Sequence, residues 1–241
     1  MRKYFVTTFV LVALLVFATS GLALEKTSMR LTDDSRADNW NAATTCTVLY
    51  YNYCTGWLWI WSGWSPGDIL GVQFDAPNSG GGTLYANWLF TWTGAPSGYG
   101  FTGSLDVNAA DANACPTGAA IGSQPYLPAG GGWEFASWGA GVAVPGSFTV
   151  GAVMGATAGN PTTFVTDHPA AGPTGPTPCG TCFPTSRDPH SYYWGSAASP
   201  LCPGSTLFDG VCDAGFVWEA IISCSVGVEP SSWGSVKGLY K

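Results

Sequence analysis

Two glutamates stand beside tryptophans in segments whose composition is typical of β-strands. Glu134 follows Trp133, and Glu219 follows Trp218. A retaining glycosidase holds two carboxyl groups about 5 Å apart, and neighbouring indole rings would suit a sugar cleft. The same residues also fit solvated, outward-facing strand positions. The pair gives the hypothesis of a carbohydrate-active hydrolase, to be weighed against a surface role for both acids.

The two histidines each lie near an aspartate, since His168 follows Asp167 and His190 comes two residues after Asp188. A Ser-His-Asp triad needs a nucleophile held by the surrounding structure, and the sequence has no Gly-x-Ser-x-Gly elbow. Prolines adjoin both histidines, which is typical of turns. The sequence therefore favours turn residues over a triad.

Aspartates supply a second kind of candidate site, because Ca²⁺ binds several oxygen ligands at once. Asp209 and Asp213 are four residues apart in a predicted loop. No Asp-x-Asp-x-Asp-Gly loop occurs, so turn capping is the alternative. Calcium is the one cofactor that the sequence suggests. The other aspartates placed mostly at turns are Asp68, Asp75, Asp106, Asp111, Asp167 and Asp188.

Aromatic side chains could either fill a core or stack on sugar rings. Trp57, Trp59 and Trp61 alternate with Leu58 and Ile60, which predicts a central strand covered on both faces. We expect these tryptophans and Trp88 to pack in the core. The aromatics that adjoin Gly, Pro or Ser are expected to be exposed and are the candidate ligand contacts: Trp64, Tyr99, Trp138, Tyr192 and Tyr193.

Eight cysteines predict disulfides, which persist outside the cytosol. Local pairing favours Cys46–Cys54 and Cys202–Cys212, with Cys115, Cys179, Cys182 and Cys224 left unassigned. Zinc and a redox pair at Cys179 and Cys182 are the less favoured alternatives.

Short strand-like segments separated by turns run through most of the chain. The 33 Gly and 17 Pro disfavour long helices. Many short strands with such connections are typical of a sandwich or barrel. We predict an all-β fold, an antiparallel β-sandwich of jelly-roll character, over residues 45–226. Residues 179–215 would form a disulfide-stapled loop region, and 227–241 a tail with a short helix or a sorting tag.

The N-terminus has the features of an export signal. Arg2 and Lys3 precede an apolar run from Phe5 to Ala18, and small residues follow at Gly21 and Ala23. The run is shorter than the about 20 residues that span a bilayer. The sequence therefore predicts a cleaved signal over 1–23, a flexible lead-in over 24–44 and no membrane span afterwards.

Charge restricts the partners. Without the signal the chain has six cations against 15 acids, a net charge of −9. Nucleic acids and anionic membranes bind clustered Lys and Arg, so both are excluded. Neutral polysaccharides, cations and other cell-surface components remain.

The order of elements between Gly67 and Cys224 resembles a known kind of module. It includes Gly67-Asp68, Leu105-Asp-Val107, Gly132-Trp133, Phe148-Thr-Val150 and Trp218-Glu-Ala220. These features resemble the jelly-roll-like β-sandwich modules of secreted bacterial proteins. The ending Ser-Trp-Gly-Ser-Val-Lys is similar to short C-terminal tails of exported bacterial proteins. The resemblance implies an extracellular setting and no shared catalytic residues.

The leading prediction is a non-catalytic binding or surface-structural module; the alternatives are the hydrolase and a self-associating envelope component.

Overall fold

The described part of the chain is built only of strands and their connections. A computed structural model describes residues 25–30, 44–51, 56–62, 64–91, 103–127, 132–155, 164–167, 190–195 and 215–224. Within these ranges twelve strands and no helix occur. The strands are β1 (Glu25–Arg30), β2 (Thr45–Leu49), β3 (Trp57–Ser62), β4 (Ile69–Asp75), β5 (Gly82–Thr91), β6 (Gly103–Ala110), β7 (Pro116–Tyr126), β8 (Gly132–Val144), β9 (Ser147–Met154), β10 (Phe164–Asp167), β11 (Ser191–Trp194) and β12 (Trp218–Ser223).

The strands form two antiparallel sheets. The larger sheet has seven strands in the order β1-β3-β10-β5-β12-β2, and β8 pairs with β5 as well. The smaller sheet has five strands in the order β11-β4-β9-β6-β7. Side chains from the facing surfaces of both sheets form one buried cluster, which includes Val72, Phe148, Leu89 and Trp218. The molecule is an antiparallel β-sandwich, as the sequence predicted.

Strand β3 has apolar residues on both faces because both faces are covered. Trp59 and Trp61 belong to the core between the sheets, whereas Leu58 and Ile60 belong to a second buried cluster on the opposite face of the larger sheet. We call that face the outer face. All four side chains are at most 6% exposed, so the prediction of a central strand covered on both sides is confirmed.

Both sides of the sandwich are closed where edge strands approach each other. On one side, the ring of Tyr50, just after β2, stacks on His190, just before β11, with centroids 3.4 Å apart and planes within 5°. On the other side, β7 approaches β8 so closely that a Cβ at Gly122 would lie 2.9 Å from Cγ2 of Val142. A side chain at position 122 would therefore push the two edges apart.

A disulfide joins Cys46 in β2 to Cys224 directly after β12, with 5.7 Å between their Cα atoms. The predicted local pair Cys46–Cys54 is therefore wrong. Residues 45–49 pair with 219–223, so the sheet brings together cysteines 178 residues apart in sequence. Cys115 is a free thiol. The remaining cysteines, including the predicted pair Cys202–Cys212, lie outside the described residues.

Two strands have no counterpart in the sequence prediction. Residues Glu25–Arg30, within the predicted lead-in, form β1 and pair with β3. Residues Pro116–Tyr126 form β7, an edge strand with mostly exposed side chains. A solvated edge strand needs few apolar residues, so its Gly- and Ala-rich sequence carries little hydrophobic alternation.

Candidate functional site

The two glutamates of the hydrolase hypothesis lie on opposite faces of the larger sheet. Glu134 in β8 is the register partner of Leu89, whose side chain lies in the core between the sheets. Glu219 in β12 is the partner of Trp88. Because successive side chains of a strand point to opposite faces, Glu219 faces outward and Glu134 faces inward. The two carboxyl groups share no cleft, contrary to the geometry that the hydrolase needs.

Glu219 is buried and bonded rather than open to a substrate. Its side chain is 1% exposed, and the hydroxyl of Tyr51 donates a hydrogen bond to its Oε1. Tyr51 itself belongs to the buried cluster of the outer face, against which Trp133 packs. A buried carboxylate needs such a partner to offset its desolvation. Glu219 is therefore part of the packed layer beside the neighbouring aromatic rings and not an accessible catalytic group.

The outer face carries an aromatic ridge, which we define as Trp88, Trp133 and Phe135. The ring centroids of Trp88 and Phe135 are 4.8 Å apart, and those of Trp88 and Trp133 are 6.4 Å apart in an edge-to-face arrangement. Phe135 is 43% exposed, and both tryptophans are half-buried. Trp88 contacts both other rings, and all three rings are partly exposed.

Strand register places these rings side by side. Trp88 is paired with Phe135, and Phe90 is paired with Trp133. Partners in an antiparallel pair point to the same face, so two aromatic residues at i and i+2 in each strand meet across the pair. Phe90 is buried beneath Trp133, with perpendicular rings 5.4 Å apart. The ridge thus rests on a packed support.

The sequence contains a signal for this ridge. The prediction that Trp88 packs in the core is wrong, because Trp88 lies on the outer face and is half-buried. The signal is the repetition of an aromatic-x-aromatic pattern in two segments, Trp88-Leu-Phe90 and Trp133-Glu-Phe135. Its meaning depends on the register, which the sequence alone does not supply.

Two of the aromatics expected to be exposed are buried. Trp64 and Tyr192 are each 1% exposed, so the expectation of exposure is wrong for both. The ring of Tyr192 lies across two glycines, because a Cβ at Gly71 or at Gly151 would come within 2.5 Å of its ring carbon or hydroxyl. These side chains have no free face for a sugar.

Two further candidates are half-buried and hydrogen-bonded. Tyr193 donates to Oδ2 of the buried Asp68 at 3.1 Å. Burial, and then the negative charge of Asp68, raises the pKa of Tyr193 to about 12. The indole nitrogen of Trp138 donates to Oδ1 of Asn87 at 2.8 Å. The side chains of Tyr193 and Trp138 both pack against the core. Tyr99 lies outside the described residues.

The described residues do not test the predicted calcium site, and they show no Asp-His contact through Nδ1 of His190. Asp209, Asp213 and His168 lie outside them. His190 does not meet an aspartate through its Nδ1, which is 2.6 Å from Oε1 of Gln73. Among the described residues no three His, Cys, Asp or Glu side chains lie close enough together to hold a metal ion.

Comparison with known proteins gives a likeness of fold. The sequence matches no family profile and no curated protein. The fold is similar to the crystal structure of the cysteine protease and lectin-like domains of Cwp84, a surface layer associated protein of Clostridium difficile, with a TM-score of 0.53. The sequences are 12% identical, and the match covers 77% of this chain and 37% of that one. At this identity the likeness concerns the fold.

Within the residues that the structure describes, no helix is both long enough and apolar enough to cross a bilayer.

Proposed function

We propose that this protein is a non-catalytic, extracytoplasmic binding module that holds a neutral polysaccharide on the aromatic ridge. One observation carries the proposal: three touching, partly exposed rings project from two neighbouring strands of a rigid sheet. Exposed apolar groups that form a contiguous patch, rather than occurring singly, are typical of binding sites.

The chemistry of the ridge suits sugar rings. Aromatic faces carry partial negative charge, so they attract the weakly positive C–H groups on the flat faces of a pyranose. The rings are held by the strand pairing and by Phe90 beneath them, so little side-chain freedom is lost on binding. The chain has a formal net charge of −7, which disfavours polyanionic ligands.

Two further observations support an extracytoplasmic setting. The Cys46–Cys224 disulfide is stable in oxidising compartments. The similar structure belongs to a surface layer associated protein and includes a lectin-like domain. A similar fold gives general support to a surface-binding role, but the function must be argued from the site itself.

The alternatives fit the geometry less well. A glycosidase requires two carboxyl groups across one cleft, whereas Glu134 and Glu219 face opposite sides of the sheet. A self-associating envelope component would use the exposed edge strand β7. The prolines at positions 116 and 125 and the register shift between Val107 and Ala109 interrupt that edge, which disfavours pairing with another chain.

The decisive experiment is a glycan array probed with the purified protein, its Phe135→Ala variant and an Ile121→Ala control. Ile121 is 45% exposed and lies on the smaller sheet, so the control removes a similarly exposed apolar side chain elsewhere. We expect binding to at least one neutral glycan, weakened by Phe135→Ala and unchanged by Ile121→Ala.

The size of the effect follows from the exposed area. An aromatic side chain has about 200 Å² of surface, so the 43% exposure of Phe135 leaves about 85 Å² accessible. Covering half of that at about 25 cal/mol per Å² contributes about 1 kcal/mol, or about fivefold in affinity. Phe135→Trp should restore binding. Equal binding by the parent protein and the Phe135→Ala variant, or binding of no glycan at all, would refute the proposal that the aromatic ridge binds a polysaccharide.

The same array tests the calcium proposal. We propose that Asp209 and Asp213 bind Ca²⁺ and that the ion supports glycan binding, because hard cations prefer carboxylate oxygens. Chelation should then weaken binding, and Asp209→Asn with Asp213→Asn should abolish the response to Ca²⁺. Binding that is identical with Ca²⁺ and with chelator would contradict this part alone. Silence on the array together with self-assembly in solution would favour the structural role.

A further inference from the structure

A groove lies at the opposite end of strands β5 and β8 from the aromatic ridge. It has a volume of about 670 Å³ and is formed where the β4–β5 and β8–β9 connections meet the end of β6. Three polar residues line it, Asp75, Ser79 and Ser147, and the remaining lining residues are alanine, proline and glycine. Its volume is in the range of small-molecule sites. We call it the Asp75 groove.

A buried glutamine fixes two of the polar groups in the Asp75 groove. Gln73 is 5% exposed, and its Nε2 donates to Oδ1 of Asp75 at 2.6 Å and to Oγ of Ser147 at 2.7 Å. Its Oε1 lies 2.6 Å from Nδ1 of His190. An ionised carboxylate only accepts, so the amide nitrogen must face Asp75. Oε1 then accepts from His190, whose Nδ1 carries the proton. The amide therefore has a single orientation.

This orientation determines what the groove can offer a ligand. The hydroxyl of Ser147 accepts from Gln73, so its own proton is left to donate. The carboxylate of Asp75 accepts from Gln73 and also interacts with the hydroxyl of Tyr50. A carboxylate has about four lone-pair sites, so Asp75 can accept a further hydrogen bond. The two residues are register partners at the ends of β4 and β9, so an acceptor and a donor stand side by side at the edge of an apolar floor.

Charge and shape then select the ligand class. Asp75 is the one ionisable residue lining the groove, so an anion would meet an uncompensated negative charge. Adjacent hydroxyl groups of a polyol match the pair, one donating to Asp75 and the next accepting from Ser147. The C–H faces of the same molecule fit the alanines and prolines.

We propose that the Asp75 groove is a binding site for a small neutral polyol, such as a single sugar unit with two adjacent hydroxyl groups. Gln73 is the positioning residue, and Asp75 and Ser147 make the contacts. The site is distinct from the aromatic ridge, because Trp88 lies six positions after Gly82 in β5, a distance of about 20 Å. It does not depend on the function proposed for the ridge.

The test is a titration of the isotopically labelled, purified protein followed by amide chemical shifts. The probes are glycerol, myo-inositol and the methyl glycosides of glucose, galactose and mannose. We expect saturable shifts confined to residues 75–76, 78–79, 109–110 and 146–147 for at least one probe. Ser147→Ala should weaken binding about fivefold and Asp75→Asn at least about tenfold, since bonds to charged groups are stronger.

A matched control separates a lost contact from a general disturbance. Ser123→Ala removes a serine hydroxyl from the same sheet, together with its bond to Oδ1 of Asp106, and should leave the titration unchanged. No saturable shift with any probe, or equal affinity in Asp75→Asn, overturns the proposal. Shifts caused by methylammonium and by none of the polyols would also overturn it, since they indicate a cation site. Phe135→Ala should leave these shifts unchanged. The proposal for the aromatic ridge and the proposal for the Asp75 groove can therefore fail independently.

Discussion

The disulfide between Cys46 and Cys224 should supply a large part of the stability of this protein. It closes a loop with a sequence separation of 178 residues. In the chain-entropy description, a cross-link restricts the unfolded chain by an amount that grows with the logarithm of the loop length. For this separation the formula gives about 17 cal/mol/K, or about 5 kcal/mol at 25 °C. This is at the upper end of the range for native disulfides, about 2–5 kcal/mol.

The perturbation is the double variant Cys46→Ser with Cys224→Ser, which removes the bond without leaving an unpaired thiol at either position. We expect the free energy of unfolding to fall by about 5 kcal/mol and the melting temperature by about 10–20 °C for a chain of this size. The measurement is equilibrium urea unfolding followed by tryptophan fluorescence. The denaturant slope should rise, because the opened unfolded chain exposes more surface.

Two results would refute this reasoning. A loss of stability below about 1 kcal/mol would show that the cross-link does not restrict the unfolded chain as the entropy description requires. Peptide mapping of the unreduced protein that found Cys46 linked to Cys54 would contradict the sheet pairing itself. The expected map contains a peptide pair joining Cys46 and Cys224.

Two further predictions concern the smaller sheet. Gly71→Ala should destabilise the protein by about 1–3 kcal/mol, because the new Cβ would lie 2.4 Å from the ring of Tyr192 and from the carbonyl oxygen of Val150. A melting temperature within about 1 °C of that of the parent protein would contradict this. Tyr193 should ionise near pH 12, so its contribution to stability is present below pH 10, the pKa of an unfolded tyrosine, and is lost between about pH 10 and 12. The absorbance of tyrosinate, followed as a function of pH, measures this ionisation. Asp68→Asn should lower the pKa of Tyr193 without returning it to 10, because burial is the larger cause of the shift. An unchanged pKa in that variant would contradict the role of Asp68.

The fold class could be predicted because it depends on local pattern. Trp59 and Trp61 alternate with Leu58 and Ile60, and a strand with two apolar faces is stable only when both are covered. Strands β9 and β11, at 147–154 and 191–194, are likewise rich in β-branched or aromatic residues, which is typical of strands. Strand β7 could not be predicted in the same way, since an exposed edge strand places little demand on its side chains.

The site, in contrast, depends on register. Whether Trp88 faces the core or the solvent is decided by its pairing with Phe135 and Glu219, and a shift of one residue would reverse the face. The same pairing separates Glu134 from Glu219, although both follow a tryptophan in sequence.

The sequence by itself determined the class of this molecule: an antiparallel β-sandwich, poor in charge, with aromatic side chains in its core. These properties follow from composition and from the two-residue period of a strand, which any local segment displays. Only the tertiary structure decided which cysteines bond, which tryptophans reach solvent and which polar groups meet in the Asp75 groove. Each of these depends on the pairing of strands that are far apart in the chain, and no single segment encodes that pairing.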